Sequence, residues 1–261
     1  MTPADLAAAT PAVMTPAEAV AATGGPLHDL GGRFMASRAT FRRGAEWGWE
    51  DGLSWYVAGR GGVLGDVDGW VVSAAFGFFK PEAVIARWDA GVRVAGARGA
   101  ARRYNEAAAL WGRERLSGVA GIERLASMGE RVLAAAEAAA LPLFAGWRAE
   151  PRVDDAPGHA GQVVHALREW RGGNHLVAVT SVGLRPLEAV LLGDGPKQAS
   201  VCGWGEPFPD VTALRPRWEE AERATDRLCA PAFEDGLSPA ERAEFASVVV
   251  AAHAAVTAAR P

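Results

Sequence analysis

Apolar positions in this chain recur on helical periods. Between Asp155 and Gly173, Val163, Val164, Leu167 and Trp170 fall on one side at about 100° per residue, and Gln162, His165, Arg168 and Glu169 fall opposite. Asp155 with Pro157 marks a helix start, and Gly172-Gly173 marks a stop. Asn174 then caps a short helix, His175–Val182, apolar nearly all round and therefore buried. Gly183 suits the left-handed closing position. Arg185-Pro186 opens a third helix, Pro186–Leu192, ended by Gly193.

The same signals run along the rest of the chain. Residues 1–14 are an Ala/Pro/Thr tail. Thr15-Pro16-Ala17-Glu18 is a capping box for a helix to Thr23, broken by Gly24-Gly25-Pro26. Ser37 caps a helix through Ala45, Pro81 starts one holding Trp88, and Ala97–Leu116 and Ile122–Ala140 are long helices. Phe144–Trp147 reads as a connector, and the segment after Gly193 is irregular. Asp210–Cys229 is helical with a kink or restart at Pro216. Ser238-Pro239-Ala240-Glu241 boxes a last helix to about Ala259. Strand candidates are confined to Ser54–Ala58 and Ser200–Trp204. The expected class is all-α, a multi-helix bundle.

One pattern occurs twice. Asp68–Val84 and Asn174–Val190 keep an offset of 106 at Asp68/Asn174, Val71/Val177, Gly77/Gly183 and Glu82/Glu188. Each copy reads as cap, buried helix, Gly stop and Pro-started helix, and the order helix, Gly turn, helix has helix-turn-helix topology. Chance similarity between short apolar helices is the alternative. We expect an Ala/Pro-rich segment (1–24), a first helical half (25–142) and a related second half (143–261), packed as one unit. Related halves often place a ligand between them.

Composition narrows the function. With 261 residues the chain can bury a large core. Two cysteines, Cys202 and Cys229, without CxxC spacing fit free thiols in a reducing cytoplasm. The formal net charge of −4 lacks the basic footprint of a nucleic-acid binder. No apolar run reaches membrane-spanning length, and the N-terminus has no basic signal region. The Pro186 helix offers no Arg, Lys, Asn or Gln to base edges. The Arg-rich helix Ala97–Leu116 is the one basic candidate, and Glu106 and Glu114 are placed to pair with it. Gly59-Arg60-Gly61-Gly62 matches neither GxxxxGK[ST] nor GxGxxG, so close backbone approach is its expected role.

The polar side of the His165 helix either faces solvent or lines a cleft. In the second case His165, Arg168, Glu169, Arg171 and His175 form one wall, and Trp55, Tyr56 and Arg60 the opposite one. Arg168 or Arg60 would hold an anionic group, and a histidine tuned by Glu169 could move a proton near neutral pH. His28 is a further candidate, although a lone His in a turn is more often a local hydrogen-bonder. His165, Glu169 and His175 could alternatively ligate a metal, since a His and a Glu at i, i+4 are chemically sound ligands.

Several stretches carry a resemblance: GRFMASRA, GGVLGDV, AAFGFFKPEAV, HALREWRGGNHLVAVTSVGLRPLEAVLL and ATDRLCAPAF. They resemble a family of actinobacterial helix-turn-helix domain proteins, from about Pro26 to the end. The resemblance implies a helical fold and DNA binding, and brings no catalytic mechanism. Gly203–Trp218 stands where such proteins carry a longer winged-helix-like segment, so that region is degenerate here. We expect a cytoplasmic protein binding an anionic or aromatic small molecule at the junction of its halves, with no cofactor, no membrane partner and no assigned reaction. DNA regulation and metal binding are the alternatives, and the sequence leaves a homodimer open.

Overall fold

The computed structural model describes residues 12–258. The tail at 1–11 and the expected helix end at Ala259 lie outside the described residues. Thr15 and Glu18 form the reciprocal box that opens α1 (Pro16–Met35). Ser37 caps α2 (Arg38–Glu46), and Asp51 caps α3 (Gly52–Gly61). Asp68 accepts from the Trp70 and Val71 amides to open α4 (Gly69–Phe76). Pro81 starts α5 (Pro81–Arg115), which breaks at Gly96, with φ 69° and ψ 166°. Then come α6 (Ile122–Ala135), α7 (Pro142–Ala149) and α8 (Ala156–Ser181), the last capped by Asp155. Pro186 opens α9 (Pro186–Gly193), followed by α10 (Gly195–Val201), α11 (Arg215–Gly236) and α12 (Pro239–Ala258). No strand occurs among the described residues, and the class is all-α.

The centre is α8, which packs against α1, α5, α6, α7 and α11. Glycines let these helices approach closely. A Cβ on Gly161 of α8 would stand 2.9 Å from Gly112 Cα of α5. Gly59 of α3 similarly leaves room for the Tyr104 ring. The core around them holds Phe34, Trp55, Tyr104, Trp111 and Trp147, each nearly inaccessible. Fully burying such a side chain contributes roughly 1.5–3 kcal/mol.

Several expectations give way to this packing. Gly24-Gly25-Pro26 does not end a helix, because α1 runs through it to Met35 and across the expected boundary at residues 24–25. Gly172-Gly173 does not stop α8 either. Gly173 leaves space for Leu141, whose Cδ2 would lie 2.9 Å from an added Cβ. Asn174 is therefore no cap. It sits inside α8 and donates through Nδ2 to the Trp170 carbonyl at 3.2 Å. The two similar segments share the positive φ of Gly77 and Gly183 and the Pro starts of α5 and α9, but differ before the glycine.

Ser54–Ala58 lies in α3, capped by Asp51, and Ser200–Trp204 ends α10 and enters a turn, so neither is a strand. The helix from Ile122 ends at Ala135, where Glu137 accepts from the Ala138 and Ala139 amides. The expected connector at Phe144–Trp147 belongs to α7. The helix expected from Asp210 begins at Arg215, with Pro216 in its first turn, and runs through Pro231 to Gly236. Among the described residues no single helix is long and apolar enough to cross a membrane.

Candidate functional site

The site grows from the contact of α1 with α8. Gly24, His28 and Gly31 share one face of α1 at spacings of four and three. Arg168, Arg171 and His175 are similarly related on α8. A Cβ at Gly31 would stand 2.8 Å from Arg168 Cβ, and one at Gly24 would stand 3.0 Å from Arg171 Nε. The two glycines thus make room for the two arginines, which is why a glycine-rich helix is tolerated there.

Beside this contact lies a cavity of about 620 Å³. Its lining includes His28, Tyr56, Arg60, Arg168, Glu169, Arg171 and His175. Seven sequence candidates from α1, α3 and α8 therefore converge, and the solvated-face reading of α8 is overturned. Gln162, His165 and Glu169 are all buried.

Arg60 and Glu169 lock the α3 and α8 walls together. Arg60 donates from Nε and Nη2 to the two carboxylate oxygens at 2.7 and 3.0 Å, and from Nη1 to the Tyr56 hydroxyl at 3.1 Å. Burial alone would raise the Glu169 pKa, but the Arg60 guanidinium outweighs it and holds the carboxylate below its ordinary value. Burial likewise opposes the Arg60 charge, and Glu169 outweighs it to raise that pKa. Glu169 is thus committed to Arg60, not to tuning a histidine.

The other arginines have less complete partners. Arg168 comes no nearer than 3.7 Å to Glu169 Oε1, an oxygen already bonded to Arg60. Arg171 Nη2 lies 3.4 and 3.5 Å from Glu222 and Asp226. The Nε of each is buried without a partner.

His175 has a defined tautomer. Thr225 Oγ1 donates to the Ala221 carbonyl at 2.8 Å, so it accepts from His175 Nδ1–H at 3.0 Å. Nε2 is left as the acceptor. Burial, aided by Arg171, pushes the His175 pKa down to about 4. His28 reaches about 4 as well, through desolvation in the cleft with Arg168 and Arg171 adding to it. Both imidazoles are neutral at pH 7. His28 is not in a turn but within α1, where it is exposed and lines the cavity.

Apolar side chains close the rest. Phe76 at the end of α4 and Phe78 and Phe79 in the α4–α5 turn line the cavity, as do the residues from Ala140 to Phe144. The Phe cluster was visible in sequence but not assigned to the site. The α7 entry was missed because it read as a connector. Trp218 and Glu222, one turn apart on α11, also line the cavity, and nothing local in the sequence signalled them.

Two candidates fall elsewhere. Trp55 is wholly buried, donates to the Thr40 carbonyl and packs at steep ring angles against Trp47, Trp49 and Tyr104. His165 sits among Phe34, Tyr104 and Trp147, with neither ring nitrogen hydrogen-bonded. Burial pushes its pKa down to about 3. The metal alternative fails with it. Glu169 serves Arg60, His175 serves Thr225, and among the described residues no three His, Cys, Asp or Glu side chains form a group able to hold a metal. Cys202 and Cys229 are free, and burial raises their pKa values to about 11 and 12, so neither is a thiolate.

The DNA alternative has its topology, and part of the Arg-rich helix is neutralised by ion pairs. α8 and α9 turn by 115° across Val182–Arg185, within the helix-turn-helix range. Yet α9, PLEAVLLG, carries no donor side chain for base edges. On α5, Arg98 pairs with Glu150, Arg103 with Glu106 and Arg113 with Asp155, and Glu114 is taken by Arg43, while Arg102 and Arg115 have no ion-pair partner among the described residues. A family model described as a helix-turn-helix family matches residues 17–208. No curated protein and no solved structure matches the chain.

Proposed function

This chain belongs to that helix-turn-helix family, and from that premise we propose that it binds a small organic molecule in the cavity beside its α8–α9 unit. The observation that carries this reading is convergence. Helices α1, α3 and α8, distant in sequence, put guanidinium groups and neutral imidazoles around one space of about 620 Å³, and α4, the α4–α5 turn and α7 add aromatic side chains. Ligand cavities are mostly apolar with a few convergent polar groups, at volumes of about 300–1,000 Å³. Two free cysteines fit a reducing cytoplasm as the place of action.

Native mass spectrometry tests it. The protein is incubated with aromatic acids and with their uncharged analogues, beside an Ala75→Trp variant that fills the cavity wall. We expect stoichiometric adducts on the wild type and none on the variant. No adduct from either class, or equal adducts on both proteins, would sink the reading.

DNA regulation is the second reading, and the family itself favours it. It requires a basic face outside the paired arginines of α5. A gel shift on pooled genomic fragments that weakens steeply with salt supports it. No shift at low salt removes it.

A further inference from the structure

The two arginines of α8 differ from the third. Arg60 is held through three of its nitrogens by Glu169 and Tyr56. Arg168 and Arg171, one helical turn apart, have long contacts to carboxylates and a buried Nε without a partner. Both line the cavity with their side chains about one-fifth exposed, at 19% and 18%. A guanidinium removed from bulk water with an unsaturated donor set favours a planar or tetrahedral oxyanion.

Much of the remaining lining is hydrocarbon: Phe76, Phe78, Phe79, Leu141, Phe144 and Leu176. An inorganic anion would leave that wall unused. A polyanion is disfavoured, because Glu169 and Glu222 also line the cavity and Asp194 stands at its exposed rim.

We propose that the ligand is an organic monoanion, a carboxylate or sulfonate head on an aromatic or apolar body, with the head held by Arg168 and Arg171 and the body against the phenylalanine wall. This rests on the cavity being a ligand site, as proposed above. His28 and His175 are neutral at pH 7 and sit as hydrogen-bonding neighbours of the head. With Arg60 neutralised by Glu169, the attraction comes from the Arg168 and Arg171 guanidiniums.

Two fluorescent probes separate the terms. 1-Anilinonaphthalene-8-sulfonate and N-phenyl-1-naphthylamine share one aromatic body, and only the first carries a charge. Titration at pH 7 is expected to give at least about 10-fold tighter binding of the sulfonate, equivalent to about 1.4 kcal/mol. Its affinity should fall as salt rises, while that of the amine should not. Arg168→Met keeps the stem that packs on Gly31 and removes the charge. It should lose about 10-fold for the sulfonate and leave the amine unchanged. Equal wild-type affinities, or a sulfonate affinity indifferent to salt, overturn the monoanion assignment while the cavity reading survives. The salt arm needs no variant, so a misfolded Arg168→Met protein does not spoil the test. Binding of neither probe overturns both readings.

Discussion

Arg60 of α3 and Glu169 of α8, separated by 109 residues, form a two-bonded ion pair in the cavity wall, with the Glu169 side chain 1% exposed. Removing one partner leaves a buried charge unpaired, which costs about 3–5 kcal/mol. Glu169→Leu and Arg60→Met are each expected to lower unfolding stability by that amount in urea. The double variant replaces the pair by apolar groups and should recover most of the loss. A double variant as unstable as the sum of the singles would show that the pair does not act as a unit.

Neighbouring glycines of α1 should respond to alanine with opposite signs. Gly31→Ala places a methyl against the Arg168 stem, and overpacking of this kind costs about 1–3 kcal/mol. At Gly32 no atom lies within 4 Å of the added carbon. The helix-interior gain of Gly32→Ala should therefore stabilise by about 0.5–1 kcal/mol. Thermal unfolding of both variants checks the sign, and the same sign for both would contradict the close approach of α1 and α8.

These glycines also show where the sequence stops being readable. Caps are local chemistry, so Thr15, Ser37, Asp68, Asp155 and Ser238 announce their helices without knowledge of the fold. Glycines within helices carry two meanings. Gly24 and Gly173 read as breakers, yet each leaves room for a side chain from a distant part of the chain, Arg171 of α8 or Leu141 at the start of α7. The polar face of α8 was legible as a group, and six residues of the two expected walls, Tyr56, Arg60, Arg168, Glu169, Arg171 and His175, line one cavity. Which partner each took was not legible. Arg60 and His165 compete for Glu169 only in three dimensions, and the bidentate geometry of guanidinium with carboxylate favours Arg60. Trp55 failed for the converse reason: three neighbouring tryptophans suggest a wall, but helix phase turns Trp55 into the core.

The hydrogen bond from His175 to Thr225 is expected to hold α8 against α11. Thr225 is fully buried, and Thr225→Val keeps its shape while deleting the acceptor. A half-buried imidazole N–H left unpaired costs about 1–3 kcal/mol. Urea unfolding should report that loss, and it should vanish in a His175→Phe background, where no donor needs a partner. An equal loss in both backgrounds would mean that Thr225 acts through its bond to Ala221 alone.

His165 makes stability depend on pH. The folded protein holds this imidazole neutral down to about pH 3, because burial dominates and Arg168, Arg60 and Arg152 add to it against Glu169. The unfolded chain binds a proton near pH 6.5. Above pH 6.5 neither state is protonated and the residue adds no slope. Between about 6.5 and 3 only the unfolded state takes the proton, so stability falls as pH falls, by about 1.4 kcal/mol per pH unit. Below the folded value the slope ends. From pH 6.5 to 5 the loss from this residue is about 2 kcal/mol. His165→Phe should remove that portion of the slope, because phenylalanine suits a pocket already formed by Phe34, Tyr104 and Trp147. Urea unfolding at pH 7.5 and 5 for both proteins measures the difference. An unchanged slope in His165→Phe would mean that the imidazole gains its proton in the folded state, and that its lack of partners in the core is not maintained in solution.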